Sequence, residues 1–341
     1  MCCFYAIMSS DTHTDLKGGR IMSNLQNIWH TNDIAELGLE QHVFELENAG
    51  LTIVPLEKTG VPMETIDRAI EKILARFTER TGGCPISIEE GPMGELEFDG
   101  QRKSRFPGME DDQPQPTQTT LGQLIKLDRS LRDLVVNPVA NALIDYIVGP
   151  EGNNAPQDPD KAPPKARRLS NGGTSFIKWQ GEYGYGPNLG LHCDQNGSAH
   201  PWGRTSLACN AMWTFTEYSK EGGALCYVPG SHKALMTPSG SGEAHLAVPV
   251  EAPKGSLVVW HGATWHGAFP KLTPGLRLNA TIYYRHLMVM SQENLRVTME
   301  DEPWDDCENP DVMRELIGFD DRFPYSKPGR KFPRFVGSNV K

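Results

Sequence analysis

The chain has 341 residues, 38% apolar and 22% charged, a balance that excludes a fully disordered chain, and no apolar run approaches the length of a membrane span. Its 33 Lys and Arg against 43 Asp and Glu leave a formal net charge of -10, which repels phosphate backbones and argues against nucleic acid as a partner. Abundant Gly (34) and Pro (26) favour a turn-rich β fold over a helical bundle, and seven Cys without a C-x-x-C pair exclude zinc ribbons and thioredoxin-type motifs. Scattered cysteines of this kind read as reduced thiols of a cytoplasmic protein.

Residues 1–21 carry no basic n-region or clear cleavage site, and Met22 opens a more ordinary beginning, so a disordered N-terminal extension is expected there. A single domain over 22–318 and a basic tail over 319–341 complete the expected organisation, with a helical part at 38–149 and a β core at 169–290. GLEQHVFELENAG reads as a helix ending at Gly50, followed by the β-prone LTIVPL. In PMETIDRAIEKILARFTERTGG, Ile66, Ile70, Ile73 and Phe77 form one helical stripe, Pro62 suits the start, and Gly82-Gly83 ends it. The segment 101–120 is polar and reads as a loop. LGQLIKLDRSLRDLVV and PVANALIDYIVG follow as two helices, with Gly149 as the stop. Residues 150–168 are the most linker-like stretch, either a domain boundary or a mobile loop over a pocket, with Lys165, Arg167 and Arg168 as a small solvated basic cluster. After Leu169, short β-branched and aromatic runs alternate with Gly, Pro and Asn turns, the pattern of a sandwich or jelly-roll barrel. The fold expected is mainly β with flanking α-helices, built on a double-stranded β-helix (jelly-roll, cupin-like) core.

The chemistry concentrates in that core. In the extended segment NLGLHCDQNG, residues two apart point the same way, so His192 and Asp194 would project together with Cys193 opposite. One imidazole and one carboxylate make two-thirds of a facial triad, the signature of non-haem Fe(II) oxygenases. A His-x-acid match is expected by chance about once in a chain of this composition, so it is weak evidence alone. The segment GSLVVWHGATWHGAF adds His261 and His266. In a jelly roll, strands far apart in sequence are neighbours, so a distant His can complete the set. His266, expected in a short Gly-containing loop, is preferred over His261, expected to pack at the strand end. Arg277 begins RLNATIYYR and shares one face with Asn279 and Thr281. An Arg pointing into a barrel must meet an anion, either a structural carboxylate or the carboxylate of a cosubstrate.

Three passages, LHCDQ, AMWTFTEYSKEGGALCYVPGSHK and GSLVVWHGATWHGAFPKLTPGLRLNATIYY, resemble the phytanoyl-CoA dioxygenase family of Fe(II)- and 2-oxoglutarate-dependent oxygenases. The resemblance spans about residues 38 to 290 and is most specific from 189 to 286; the segments 101–120 and 150–168 stand outside its pattern. It implies that His192, Asp194 and His266 bind Fe(II) and that Arg277 binds the distal carboxylate of 2-oxoglutarate. Trp213 matches a Trp that lines the cosubstrate pocket, its alternative being core packing. Asn279 stands where related enzymes often have Ser, so its help to Arg277 departs from the family. His232, in PGSHK, matches a turn and is left out of the ligand set. A carboxylate at Asp194 favours oxygen insertion or desaturation, whereas halogenating relatives have a small residue there. The expected cofactors are Fe(II), 2-oxoglutarate and O2, with release of succinate and CO2. The expected partner is a small-molecule substrate, a free metabolite rather than an acyl-CoA, with neither nucleic acid nor membrane; monomer and homodimer both stay open. The aromatic run Trp179, Tyr183, Tyr185 is a candidate substrate wall. Two other readings keep the fold: a jelly-roll metal hydrolase or isomerase without 2-oxoglutarate, and a non-catalytic binding module with Arg277 in a structural salt bridge.

Overall fold

The computed structural model describes residues 31–94, 96, 117–149, 165–181, 187–198, 202–203, 205–240 and 242–321. The expected N-terminal extension, Tyr183, Tyr185 and nearly all of the basic tail lie outside them. Two short helices, α1 (Thr31–Glu36) and α2 (Glu40–Ala49), lead into strand β1 (Leu51–Val54). Helix α3 (Leu56–Thr59) and the long α4 (Met63–Arg80) follow, and then the β2 (Ile86–Ser87) and β3 (Gly91–Pro92) ladder. Ile66, Ala69, Ile70, Ile73 and Phe77 of α4 are buried, as the 3.6-residue stripe requires.

The next stretch differs from expectation. Gln118–Gly122 is a strand, β4, and pairs along β6 (Thr174–Trp179) from Gln118 opposite Lys178 to Gly122 opposite Thr174. Its polar, β-branched sequence gains a ladder only by meeting a partner more than 50 positions away, which no local pattern signals. The helix expected over LGQLIK is therefore displaced. Gln123 turns the chain at φ 61°, a single 3-10 turn covers Leu124–Lys126, and α5 begins only at Arg129, where the Asp128 carboxylate accepts the Ser130 N–H (Arg129–Val135). Helix α6 (Pro138–Val148) has Pro at its first turn, an Asn137 cap and Gly149 at its end.

Strand β5 (Arg167–Leu169) occupies the end of the linker-like stretch, and Arg167 and Arg168 of the basic cluster are buried rather than solvated. Arg167 is 1% exposed, and donates to Asp145 Oδ1 at 2.5 Å and Asn141 Oδ1 at 2.7 Å. Lys165 meets Asp145 Oδ2 at 2.9 Å, and Arg168 grips Asp321 at 2.7 Å. These ion pairs fasten β5 to α6 and to the C-terminal end of the described chain.

The remaining strands are β7 (Ala208–Thr214), β8 (Leu225–Tyr227), β9 (Val248–Pro249), β10 (Leu257–His261), β11 (His266–Ala268), β12 (Leu276–Arg277) and β13 (Asn279–His286). They are followed by α7 (Leu295–Thr298) and α8 (Pro310–Ile317). All pairings are antiparallel. The large sheet runs β1-β10-β7-β13-β6-β12, with β4 added on β6 and β5 on β13, and the small sheet runs β11-β8-β9. Strand alternation divides the packing. Cys209, Ala211 and Trp213 of β7, Leu257 and Val259 of β10, and Ala280, Ile282 and Tyr284 of β13 face a large core shared with the helices. Met212, Val258 and Trp260, from the same strands, face instead a second core with Tyr218, Leu225 and Val250. That inner face, closed by the small sheet, is the interior of a jelly roll flanked by helices. No helix among the described residues is long and apolar enough to cross a membrane.

Candidate metal centre and its surroundings

His192 and His266 form an isolated antiparallel bridge between their backbones, His192 N–H to His266 O at 2.9 Å and His266 N–H to His192 O at 2.8 Å. Residues exchanging both hydrogen bonds lie directly opposite and send their side chains to the same face. The two rings are accordingly 4.3 Å apart between centroids. Cys193 is extended (φ -134°, ψ 149°), so Asp194 returns to the face that carries His192 before a 3-10 turn begins. The alternation expected of this segment is thus present over three residues, without a regular strand. His266 opens strand β11 rather than sitting in a loop, paired with Tyr227 of β8.

Asp194 Oδ1 lies 3.7 Å from His192 Nε2, and Oδ2 lies 3.3 Å from His266 Nε2. Ligand atoms of all three residues fall within 4.8 Å of one another. The second nitrogen of each ring is engaged. His192 Nδ1 is 2.9 Å from Gly190 O and His266 Nδ1 is 2.9 Å from Thr264 O. Such a contact has Nδ1 donating its proton to the carbonyl, which turns Nε2 of each ring toward the common locus. Burial, partly offset by Asp194, holds His266 below the usual histidine range and so keeps it neutral. Two imidazole nitrogens and one carboxylate on one face are a donor set suited to Fe(II). Cys193 takes no part: its Sγ is directed at Asn196 Oδ1, 2.9 Å away, and burial pushes its thiol up to about 12.

Residues outside the expected set brace this locus. Asn210 of β7 donates from Nδ2 to Asp194 Oδ2 at 2.5 Å, and Tyr283 of β13 donates its hydroxyl to the Asp194 carbonyl at 3.0 Å. The Trp260 ring stands 5.3 Å from that of His266. The alternation of β7 could have flagged Asn210, because Asn210, Met212 and Thr214 share the inner face. His261 ends β10 beside His232, with 5.3 Å between ring centroids, and does not join the His192, Asp194 and His266 group.

Arg277 and Asn279 reach the interior together. Arg277 Nη1 donates to Tyr218 Oη at 3.1 Å and Asn279 Nδ2 donates to the same oxygen at 2.8 Å. Arg277 is 4% exposed, makes no ion pair among the described residues, and its buried Nε has no hydrogen-bond partner. Tyr218 was missed by the sequence reading, since only the fold brings it under Arg277. Trp213 is placed elsewhere: it lies in the large outer core, on the face of β7 opposite Asn210 and Met212. The position expected to line the cosubstrate pocket therefore packs against the helices, and Met212 and Trp260 face the interior instead.

The chain is similar in sequence and in fold to known proteins. The family model described as phytanoyl-CoA dioxygenase (PhyH) matches residues 63–279. A dioxygenase of Aspergillus fumigatus named af480 is 30% identical over 162 residues, 47% of this chain and 46% of that protein. An uncharacterized protein of Mycobacterium tuberculosis is 37% identical over 59 residues, 17% of this chain and 22% of that protein. The chain thus spans less than half the length of the curated relatives it matches. Among solved structures, HygX of Streptomyces hygroscopicus, crystallised with nickel and 2-oxoglutarate, is similar with a TM-score of 0.50 at 15% identity, over 74% of this chain and 89% of HygX. That likeness is one of fold. With the family model matching residues 63–279 of the 341, the chain belongs to the phytanoyl-CoA dioxygenase (PhyH) family.

Proposed function

We propose that the protein is an Fe(II)- and 2-oxoglutarate-dependent dioxygenase that hydroxylates an unactivated C–H bond of a small-molecule metabolite. The observation that carries this is the convergence of His192, Asp194 and His266, with both imidazoles turned by carbonyl contacts so that Nε2 faces the carboxylate. These three residues would hold Fe(II). When bound, the iron with 2-oxoglutarate and O2 supplies the oxidation, with succinate and CO2 as co-products. Arg277 would bind the distal carboxylate of 2-oxoglutarate; its buried position without a carboxylate partner among the described residues favours this over a structural salt bridge. Tyr218 Oη, shared by Arg277 and Asn279, fixes the guanidinium plane, so the departure from Ser at position 279 keeps a polar brace. Asn210 holds the Asp194 carboxylate in orientation. The apolar inner core around Met212, Val258 and Trp260 excludes water from the interior. A free metabolite is favoured over an acyl-CoA because Arg167 and Arg168 of the small basic cluster are turned to Asp145 and Asp321 rather than offered to a phosphate.

The reading predicts that anaerobic Fe(II) protein develops a visible charge-transfer band on addition of 2-oxoglutarate. A substrate-dependent succinate assay across a metabolite library then finds the substrate. His192→Ala should lose metal binding, and Arg277→Ala should raise the 2-oxoglutarate requirement while leaving metal binding in place. Absence of the band in wild type, with no succinate from any compound, would sink the assignment.

A further inference from the structure

Arg277 of β12 stands directly opposite Lys178 of β6 in the antiparallel register, so the two side chains share the inner face. Both are buried, at 4% and 1% exposure. Like charges directly opposite on neighbouring strands are destabilising, and more so away from water. A third cation, Lys271, is 4% exposed and close enough to add to the repulsion. Lys178 Nζ donates to the Phe269 carbonyl at 2.7 Å, while Lys271 Nζ is turned to Thr273 and Pro274. Phe269 lies three residues beyond His266 on the same strand direction, a rise of about 10 Å. Lys178 Nζ thus reaches the stretch of chain that continues β11 from His266, and the buried Arg277 Nε on the same face has no hydrogen-bond partner.

We propose that Lys178 is a second cosubstrate-binding cation, forming with Arg277 a two-cation seat for the distal carboxylate of 2-oxoglutarate. The inference rests on the function proposed above and adds to it a residue and a pH response. Burial, with Arg277 and Lys271 alongside, lowers Lys178 to about 7. Among the groups that act on its ammonium are Arg277 from β12, Lys271 from the segment before it, the Cys226 thiol of β8 and the Phe269 carbonyl, and Gln118 of β4 stands opposite it in the register. Cys226 is itself pushed up to about 12 and is neutral, so it supplies no counter-charge. A carboxylate arriving between the two cations raises the lysine again. By linkage, cosubstrate affinity is then highest where Lys178 is already protonated and falls as pH rises through 7.

The test measures binding rather than turnover. Full-length protein loaded with Ni(II) is titrated calorimetrically with 2-oxoglutarate, and with glutarate, which has the two carboxylates without the keto group. Wild type should weaken by about tenfold between pH 6.5 and 8.5. Lys178→Arg, permanently charged, should bind comparably at pH 6.5 and lose the slope. Lys178→Met should bind about tenfold or more weakly at every pH, yet melt at a higher temperature without ligand, because a buried like charge is gone. Equal affinity in Lys178→Met, with loss only in Arg277→Ala, would overturn the role of Lys178 and leave the proposed function standing. A pH slope persisting in Lys178→Arg would overturn it as well, and decides the matter if the Met variant does not fold. No binding of either compound by wild type would remove both readings together.

Discussion

Each imidazole of the triad is held at one nitrogen and offered at the other. The carbonyls of Gly190 and Thr264 take Nδ1–H, and the Nε2 of each ring is turned toward Asp194. Asp194 is held in turn by Asn210, whose amide takes Oδ2 and limits rotation of the carboxylate. Outer partners of this kind tune metal sites strongly, so Asn210→Ala should weaken Fe(II) affinity by about 10–100-fold with little change in fold. Competition with a chelator measures it, and Asn210→Asp, which places a second carboxylate there, should not restore it. The same residues set a pH limit. His266 is held below 6.5, so as pH falls below that value the unfolded chain takes up a proton there that the folded chain refuses. This contribution to stability is present above pH 6.5 and is lost as pH falls through the lowered folded value. Denaturation of metal-free protein at pH 7.5 and at pH 5.5 should show a drop in wild type that is smaller in His266→Gln.

At the scale of elements, the site depends on a close approach between β11 and the segment before His192. Ala268 N–H donates to the Leu189 carbonyl at 3.0 Å, and a Cβ at Gly267 would stand 2.1 Å from that same oxygen. Leu189 is itself at φ 53°, in the left-handed region, so this segment has little freedom to retreat. Gly267→Ala should therefore push His192 away from His266, costing about 1–3 kcal/mol in stability and lowering metal affinity together. Thermal melting and metal titration of the same variant check the coupling. Much of this was legible in order but not in detail. The His192-x-Asp194 spacing and the turn-rich strands signalled the chemistry, since side-chain alternation is local. The identity of the strand carrying His266, the role of Tyr218 and the orientation of Trp213 were not. The face a strand turns inward depends on which sheet covers it, and β7 is covered on both sides by apolar groups. β4 was missed for a related reason: TQTTL carries no apolar stripe and is a strand only because β6 offers an open edge.

At the scale of the whole molecule, helices and sheet are joined through charge as well as apolar contact. Arg167 is 1% exposed, and its principal partner, Asp145 of α6, is also buried. Removing the anion leaves a buried guanidinium short of its counter-charge, so Asp145→Ala should destabilise by about 3 kcal/mol, with Asp145→Asn milder. Urea unfolding of both variants measures this, and metal affinity under native conditions should be unaffected because the network lies on the helical side of the sheet. The sequence by itself determined the class of fold, the family and the residue types suited to an iron site, because turn chemistry, strand alternation and the His192-x-Asp194 spacing are written in neighbouring positions. Only the tertiary structure decided which imidazole meets Asp194, that Lys178 lies against Arg277, and that the Arg167 cluster is buried. Those outcomes depend on the antiparallel registers between distant strands, and a register is fixed by the packing of the whole barrel rather than by any segment alone.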